Sequence, residues 1–306
     1  MKLSHLAKDV AGLGLYYPGQ KLLERMPRRL IEPLAHIGGD AVRRMADLEG
    51  AREELRLLLG HVDEQVIRRA FRQRMFNELE VLRYGALTPD TIDRVCTIEG
   101  REHLDAALGQ GKGAIVLIGH FGANQMIMPA LGHAGYPMNQ LSAPPPVWPE
   151  VQPERVTPLW PAVLERRWAL EQRLPVRHIS VFEFIRPALR CLKDNEVLGL
   201  AFDGGGGKRW TQVPLCQRTA NVSVMPERLA EKTGAALLPT LVFRGEGERR
   251  HTIRIHPPVD GLQDFAEVFS HYVRRMPDHY LDFLLLRRRM RDRDIRPFFD
   301  GVTGTV

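Results

Sequence analysis

The sequence predicts an α/β protein: a mostly parallel sheet flanked by helices, preceded by a helical N-terminal region. Three observations carry that reading. Up to about residue 105, apolar residues recur at three-to-four spacing, the period of amphipathic helices. From Gly111 onward, short apolar runs alternate with helical stretches, the texture of βαβ units. Ala114–Ile118 is an unbroken, mostly β-branched apolar run closed by Gly119, as expected of a parallel strand buried on both faces. The chain divides accordingly into a helical region (1–105), an α/β domain (106–290) and a polar tail (291–306).

In the helical region Leu22, Leu23, Met26, Leu30, Ile31, Leu34 and Ile37 mark the first helical stretch, Gly38 and Gly39 punctuate it, and Asp40 caps the next segment. A further helix runs from about Asp63 to Leu87 with Val66, Ile67, Ala70, Phe71, Met75, Leu79 and Leu82 on one face, and Thr88-Pro89-Asp90 breaks it. Its other side crowds Arg68, Arg69, Arg72 and Arg74 together. That is either a solvated basic face or a surface for anions such as lipid head groups.

In the α/β domain a helix from about Asn124 to Ala134 follows the first strand, and Gly135–Leu141 is a turn and a second strand. Pro144–Pro149, with Pro153, Pro158 and Pro161 beyond, excludes regular structure and reads as a functional flap or a linker. Next come a helix from about Ala162 to Arg173, a short strand at Val176–Ile179, a helix from about Val181 to Lys193 and a buried strand at Val197–Phe202. Pro226 opens a helix that Gly234 closes, Ala235–Phe243 is a strong strand, and Gly245–Arg250 turns into a strand at His251–Ile255. Two helices, about Leu262–Arg275 and Asp278–Arg289, end in Arg287-Arg288-Arg289.

Over 306 residues, a hydrophobic content of 44% and a charged content of 26% exclude global disorder. The 43 basic residues against 37 acidic ones suit an anionic membrane, an acidic carrier protein or nucleic acid alike, and the scatter of the arginines argues against nucleic acid. Cys96, Cys191 and Cys216 lie far apart, which indicates neither a disulfide framework nor a zinc site, and the histidines share no metal-ligand spacing, so no metal is expected. The apolar stretch Val10–Tyr17 is too short to span a bilayer and precedes no cleavage site, so neither a transmembrane helix nor a signal peptide is expected.

His120 stands where the first buried strand ends and a helix begins, the crevice where open α/β sheets hold ligands. An imidazole there serves as a general base near neutral pH, and Gly119 and Gly122 leave room for a substrate against the backbone. Asp203, leading Gly204–Gly207, follows a strand in the same way and so reaches the same edge. The four-glycine run either presents N–H groups to an oxyanion or phosphate or is a flexible loop; it is neither a Walker loop nor a dinucleotide fingerprint. Ser142 and Ser223 lack the surroundings of a nucleophile elbow.

Gly119-His120-Phe121-Gly122 followed by a helix resembles the active-site entry of the lipid A late acyltransferases, the lauroyl/myristoyl branch of the lysophospholipid acyltransferase superfamily. The resemblance continues through Arg218, Ala220, Arg228, Leu229, Ala230, Thr233-Gly234-Ala235 and Arg244, and through Phe76-Asn77, Glu80, Gly111-Lys112-Gly113 and Met276–Tyr280, spanning about residues 60–290. It implies a glycerolipid acyltransferase-like fold and transfer of a fatty acyl group from an acyl carrier protein or coenzyme A thioester to a hydroxyl or amine of a glycolipid or lysolipid. No cofactor or metal is required beyond the thioester. The implied setting is peripheral, on the cytoplasmic face of the inner membrane, and Trp148 and Trp160 either meet an acyl chain or membrane there or pack onto the fold.

On that resemblance His120 is the base, N–H groups near Gly122 or Gly204–Gly206 hold the oxyanion, and Arg218 binds a phosphate of donor or acceptor; Gly205, Asp203 and Asn221 complete the substrate-binding set. One position departs from the family pattern: five residues after the histidine, where a carboxylate orients the ring, stands Gln125. Three outcomes are open: a dyad that works with Gln125, a carboxylate recruited from elsewhere, Asp203 or Glu183, or a non-catalytic lipid- or carrier-binding protein on the same fold.

Overall fold

The computed structural model describes residues 3–151, 157–182, 185–290 and 296–299. Helices come first: α1 (Leu3–Gly14) passes through a π-helical turn into α2 (Gln20–Arg25), then α3 (Arg28–Arg44), α4 (Leu48–Leu59) and α5 (Glu64–Val81). Asp47 caps α4, accepting from the Gly50 N–H at 2.8 Å, and Asp63 caps α5 from the Gln65 N–H at 2.7 Å. Asp40, expected to open a helix, lies inside α3 and accepts from Arg68 and Arg72 of α5 at 2.7 and 2.8 Å. Gly38 and Gly39 do not interrupt α3 either. A Cβ on Gly39 would lie 2.6 Å from the Arg72 Cα, so the missing side chain lets α3 and α5 meet backbone to backbone.

The sheet domain follows in the order α6 (Ile92–Val95), β1 (Cys96–Glu99), α7 (Arg101–Gly109), β2 (Ala114–Ile118), α8 (Ile127–His133), β3 (Met138–Ser142), α9 (Trp148–Val151), α10 (Trp160–Glu171), β4 (Val176–Ser180), α11 (Arg186–Lys193) and β5 (Val197–Ala201). Then come β6 (Trp210–Leu215), β7 (Arg218–Ser223), α12 (Met225–Thr233), β8 (Ala236–Phe243), β9 (His251–Ile255), α13 (Leu262–Arg275) and α14 (Leu281–Met290). One sheet of seven strands has the order β1-β9-β8-β2-β5-β3-β4. β8, β2, β5, β3 and β4 run parallel, β9 returns antiparallel on β8, and β1 lies parallel to β9. β1 comes from the stretch that reads as helical; at four residues it is too short to show a period.

β2 sits in the middle of the sheet and is buried at all five positions. Ile115 and Leu117 join a core with Phe265 and Phe269 of α13, while Val116 and Ile118 join a second core with Ile127 and Leu131 of α8. β6 and β7, which periodicity does not reveal, form a separate antiparallel ribbon. In the stretch read as a polar tail, Phe298 is buried and Phe299 bridges Ala220 of β7. Trp160 is buried with Tyr16, Leu23 and Phe76, and Trp148 packs on that core and donates its indole N–H to the Ala143 carbonyl at 2.9 Å, so both tryptophans pack onto the fold. Among the described residues no helix is long and apolar enough to cross a membrane.

Candidate active site

β2 and β5 are parallel neighbours with Ile118 opposite Ala201, and His120 and Asp203 each lie two residues past the strand end. The register therefore places them side by side. Asp203 has no exposed surface, and its carboxylate accepts twice from His120: the backbone N–H reaches Oδ2 at 2.9 Å and Nδ1 reaches Oδ1 at 2.7 Å. With the carboxylate accepting on both oxygens, Nδ1 is the donor, and in the neutral ring Nε2 then carries the lone pair. The His120 side chain remains 39% exposed, which leaves Nε2 open to a substrate.

Phe283 of α14 stacks on the imidazole with ring centroids 4.2 Å apart and planes 5° from parallel. The stack fixes the ring plane, and its π face favours the imidazolium. Beside Asp203, the Tyr280 phenol is pushed well above its ordinary range by burial and then by the Asp203 charge, so it stands as a neutral hydroxyl. Arg287, also buried, presses its guanidinium against the glycine loop: a Cβ on Gly205 would lie 2.7 Å from its Nη1. Tyr280, Phe283 and Arg287 recur at three-to-four spacing, and that spacing was the available signal for a face turned towards the site.

The loop after His120 is clamped from behind. The Gly122 N–H donates to the His279 carbonyl at 2.8 Å, the Ala123 N–H to the Val242 carbonyl at 3.1 Å, and the Gly122 carbonyl accepts from Asn77 Nδ2 at 3.2 Å. Gly122 has φ +62°, and a Cβ there would fall 2.1 Å from the Val242 oxygen. Gly122 is thus a packing glycine with its N–H already used, which corrects its assignment as a substrate-side donor. Gly119 likewise makes room for the Phe269 ring, 2.3 Å from where its Cβ would be, and not for a substrate. Asn77 also accepts from Arg244, which bonds Glu80, so the segments Phe76–Glu80 and Met276–Tyr280 buttress this loop.

Gln125 does not orient the ring. Its Oε1 accepts from Arg167 Nη2 at 3.0 Å, because α10 brings that buried guanidinium between Gln125, Glu78 (2.7 Å) and Glu171 (3.2 Å). Of the two carboxylates that could replace it, Asp203 is at the ring and Glu183 lies outside the described residues. Asp203 itself is too enclosed to meet a substrate, so its place is behind the histidine. Arg218 donates to Glu54 of α4 at 2.8 Å and lies 3.7 Å over the Phe299 ring; its charge is matched within the fold and not held ready for a phosphate. Asn221, fully buried, donates from Nδ2 to the Pro297 carbonyl at 2.9 Å and anchors the C-terminal segment instead of a substrate.

The glycine loop keeps its capacity. The Gly204 N–H reaches the Ala201 carbonyl only at 3.4 Å, and those of Gly205 and Gly206 donate to no acceptor among the described residues. A Cβ on Gly206 would meet nothing within 4 Å, so open space fronts this backbone. Among the described residues no three His, Cys, Asp or Glu gather as a metal ion would need. The arrangement offers an exposed basic nitrogen, a buried carboxylate behind it and free N–H groups on the neighbouring strand end. A sequence profile of the bacterial lipid A biosynthesis acyltransferase family matches residues 2–289, nearly the whole chain. No curated protein matches it.

Proposed function

The chain belongs to the bacterial lipid A biosynthesis acyltransferase family and is an acyltransferase; from that premise we propose that His120, oriented by Asp203, is its general base. The donor is an acyl carrier protein or coenzyme A thioester, and the acceptor a hydroxyl or amine of a glycolipid or lysolipid. His120 Nε2 takes the acceptor proton as the acceptor oxygen attacks the thioester carbonyl, forming the C–O bond and a tetrahedral oxyanion. N–H groups of Gly204–Gly206 receive that oxyanion, with the Arg287 charge behind them. Collapse breaks the C–S bond, and the imidazolium returns its proton to the leaving thiolate. Throughout, Asp203 stabilises the imidazolium. The setting is peripheral, on the cytoplasmic face of the inner membrane.

The single observation that supports this most is the double bond from His120 to a fully buried Asp203, because it supplies the charged orienting group that Gln125 lacks. A protein that only bound lipid would gain nothing from a buried carboxylate aimed at an exposed imidazole. His120→Ala is expected to abolish thiol release from an acyl thioester in the presence of lysolipid and saccharolipid acceptors, with an unchanged circular dichroism spectrum. Thiol release at the wild-type rate by that variant overturns the assignment.

A further inference from the structure

The basic residues of α5 differ from those of α2 and α3 in what their charges meet. On α5, Arg68 and Arg72 share Asp40, Arg69 faces Asp278 at 3.7 Å and Arg74 faces Asp282 at 3.4 Å. That ridge, one reading of which was a lipid-facing surface, is matched by acids of the fold. On α2 and α3, where Arg43 faces Glu64 at 3.5 Å, four other cations differ. Lys21, Arg25, Arg29 and Arg44 are exposed and make no ion pair among the described residues. The acids of these helices are half-buried and engaged: Glu24 faces Arg173, Glu32 meets His36 and the Gly247 N–H, and Asp40 holds Arg68 and Arg72.

The same two helices and the residue after them also expose large apolar side chains. Leu22, Leu30, Leu34, Ile37 and Met45 are 39–71% exposed. Leu30, Leu34 and Ile37 fall at i, i+4 and i+7, one stripe of α3, while Ile31 and Ala35 on the other side are buried against the fold. Single exposed leucines need no explanation, but an aligned stripe rimmed by cations does.

The geometry points to the α2–α3 face as the surface by which this chain lies on an anionic bilayer, with α3 in the plane of the interface. Leu30, Leu34 and Ile37 enter the acyl boundary, and Lys21, Arg25, Arg29 and Arg44 meet lipid phosphates. A second copy of the chain fits this face poorly. Two-fold pairing through the α3 stripe would bring Arg29 and Arg44 towards their own copies with no exposed acid of α2 or α3 to balance them, whereas lipid phosphates neutralise them. The inference stands apart from the chemistry at His120, because it uses none of those residues.

The test is co-sedimentation of the full chain with vesicles of phosphatidylcholine alone and of phosphatidylcholine and phosphatidylglycerol in equal parts. Binding is expected to the anionic vesicles and to fall steeply with salt. Ile37→Glu is expected to weaken it by about tenfold or more, and Arg29→Glu by about fivefold or more, from roughly one kilocalorie per juxtamembrane charge. Lys232→Glu on α12 makes the same charge change on another exposed position and leaves binding unchanged, and His120→Ala binds as the wild type does. Equal binding to both vesicle types, undiminished binding by Ile37→Glu, or a dimer in sedimentation velocity that Ile37→Glu dissociates would overturn the proposal.

Discussion

Two of the molecule's histidine–carboxylate pairs, His120–Asp203 and His251–Glu80, differ in what surrounds them. At His120 one ring nitrogen meets Asp203 and the other is open to solvent. At His251, which is fully buried, Nε2 meets Glu80, Nδ1 accepts from the Gly245 N–H at 2.9 Å, and the Arg28 guanidinium lies 3.3 Å from the ring. Arg244 then takes the second Glu80 oxygen at 2.7 Å. Burial lowers the His251 pKa, with Glu80 opposing it. Burial alone would raise Glu80, but Arg244 and His251 outweigh it and hold the carboxylate well below its ordinary range. A pair becomes a site by what is left unsatisfied: His251 has both nitrogens occupied by protein and locks β9 to α5, while His120 keeps one nitrogen free.

Neutralising the carboxylate of each pair should separate them most clearly. Asp203→Asn keeps the shape but sets one NH2 against one of the two His120 donors, so kcat is expected to fall by about three to four orders of magnitude. The readout is thiol release at saturating donor, with the thermal midpoint as control. A loss under tenfold would mean that the open nitrogen works without its carboxylate.

Glu80→Gln should act on stability instead. It leaves Arg244 and His251 buried beside a neutral amide, and breaking such a pair costs about 3–5 kcal/mol in urea denaturation. The kcat of the folded fraction should change less than in Asp203→Asn. The pH dependence follows with the sign worked out. His251 is held below 6.5, so under that pH the unfolded chain binds a proton the folded one resists, and stability falls. Glu80 is held below 4.5, so the same happens again as pH drops through that value. Stability should decline in two acid steps, and Glu80→Gln should shrink the lower one, to which Asp278, also held below the ordinary carboxylate range, contributes as well.

This contrast also shows what was legible in the sequence. The strand Ala114–Ile118, helix Leu262–Arg275 and the placing of His120 and Asp203 at strand ends follow from hydrophobic period and strand–helix alternation, and the structure has them there. The adjacency of β2 and β5 does not follow from period, so Asp203 stood only as one of two carboxylates that could serve. Glycines misled in a consistent way. Gly39, Gly119 and Gly122 read as a break and as substrate room because a sequence does not say what fills the space a Cβ leaves; here it is Arg72, Phe269 and Val242. Arginines misled similarly, since the partners of Arg68, Arg72 and Arg218 lie on other elements.

A smaller effect is expected from the ring beneath the imidazole. Phe283→Leu keeps apolar volume but removes the parallel π face at 4.2 Å, an interaction worth about 1 kcal/mol with an imidazolium, so kcat should drop by about fivefold while KM stays put. Among the described residues His251 has no stacked aromatic ring, and its imidazole is held by Glu80 and the Gly245 N–H. An unchanged kcat would assign Phe283 to packing.

Gln125→Glu should change least, and it tests which carboxylate position the ring answers to. The residue already points its Oε1 at Arg167, whose guanidinium is shared with Glu78 and Glu171, and burial pushes Glu171 up even against Arg167. A new carboxylate at 125 would be drawn to that cation, because His120 Nδ1 has its only proton on Asp203. The rate should stay within about twofold of wild type, the change expected of a charge compensated where it stands. The double variant Asp203→Asn with Gln125→Glu makes the result decisive: no recovery over Asp203→Asn alone is expected. Recovery by tenfold or more would show the ring turning to position 125, and the difference between the two histidine pairs would then lie in mobility of the imidazole and not in the fixed carboxylate behind it.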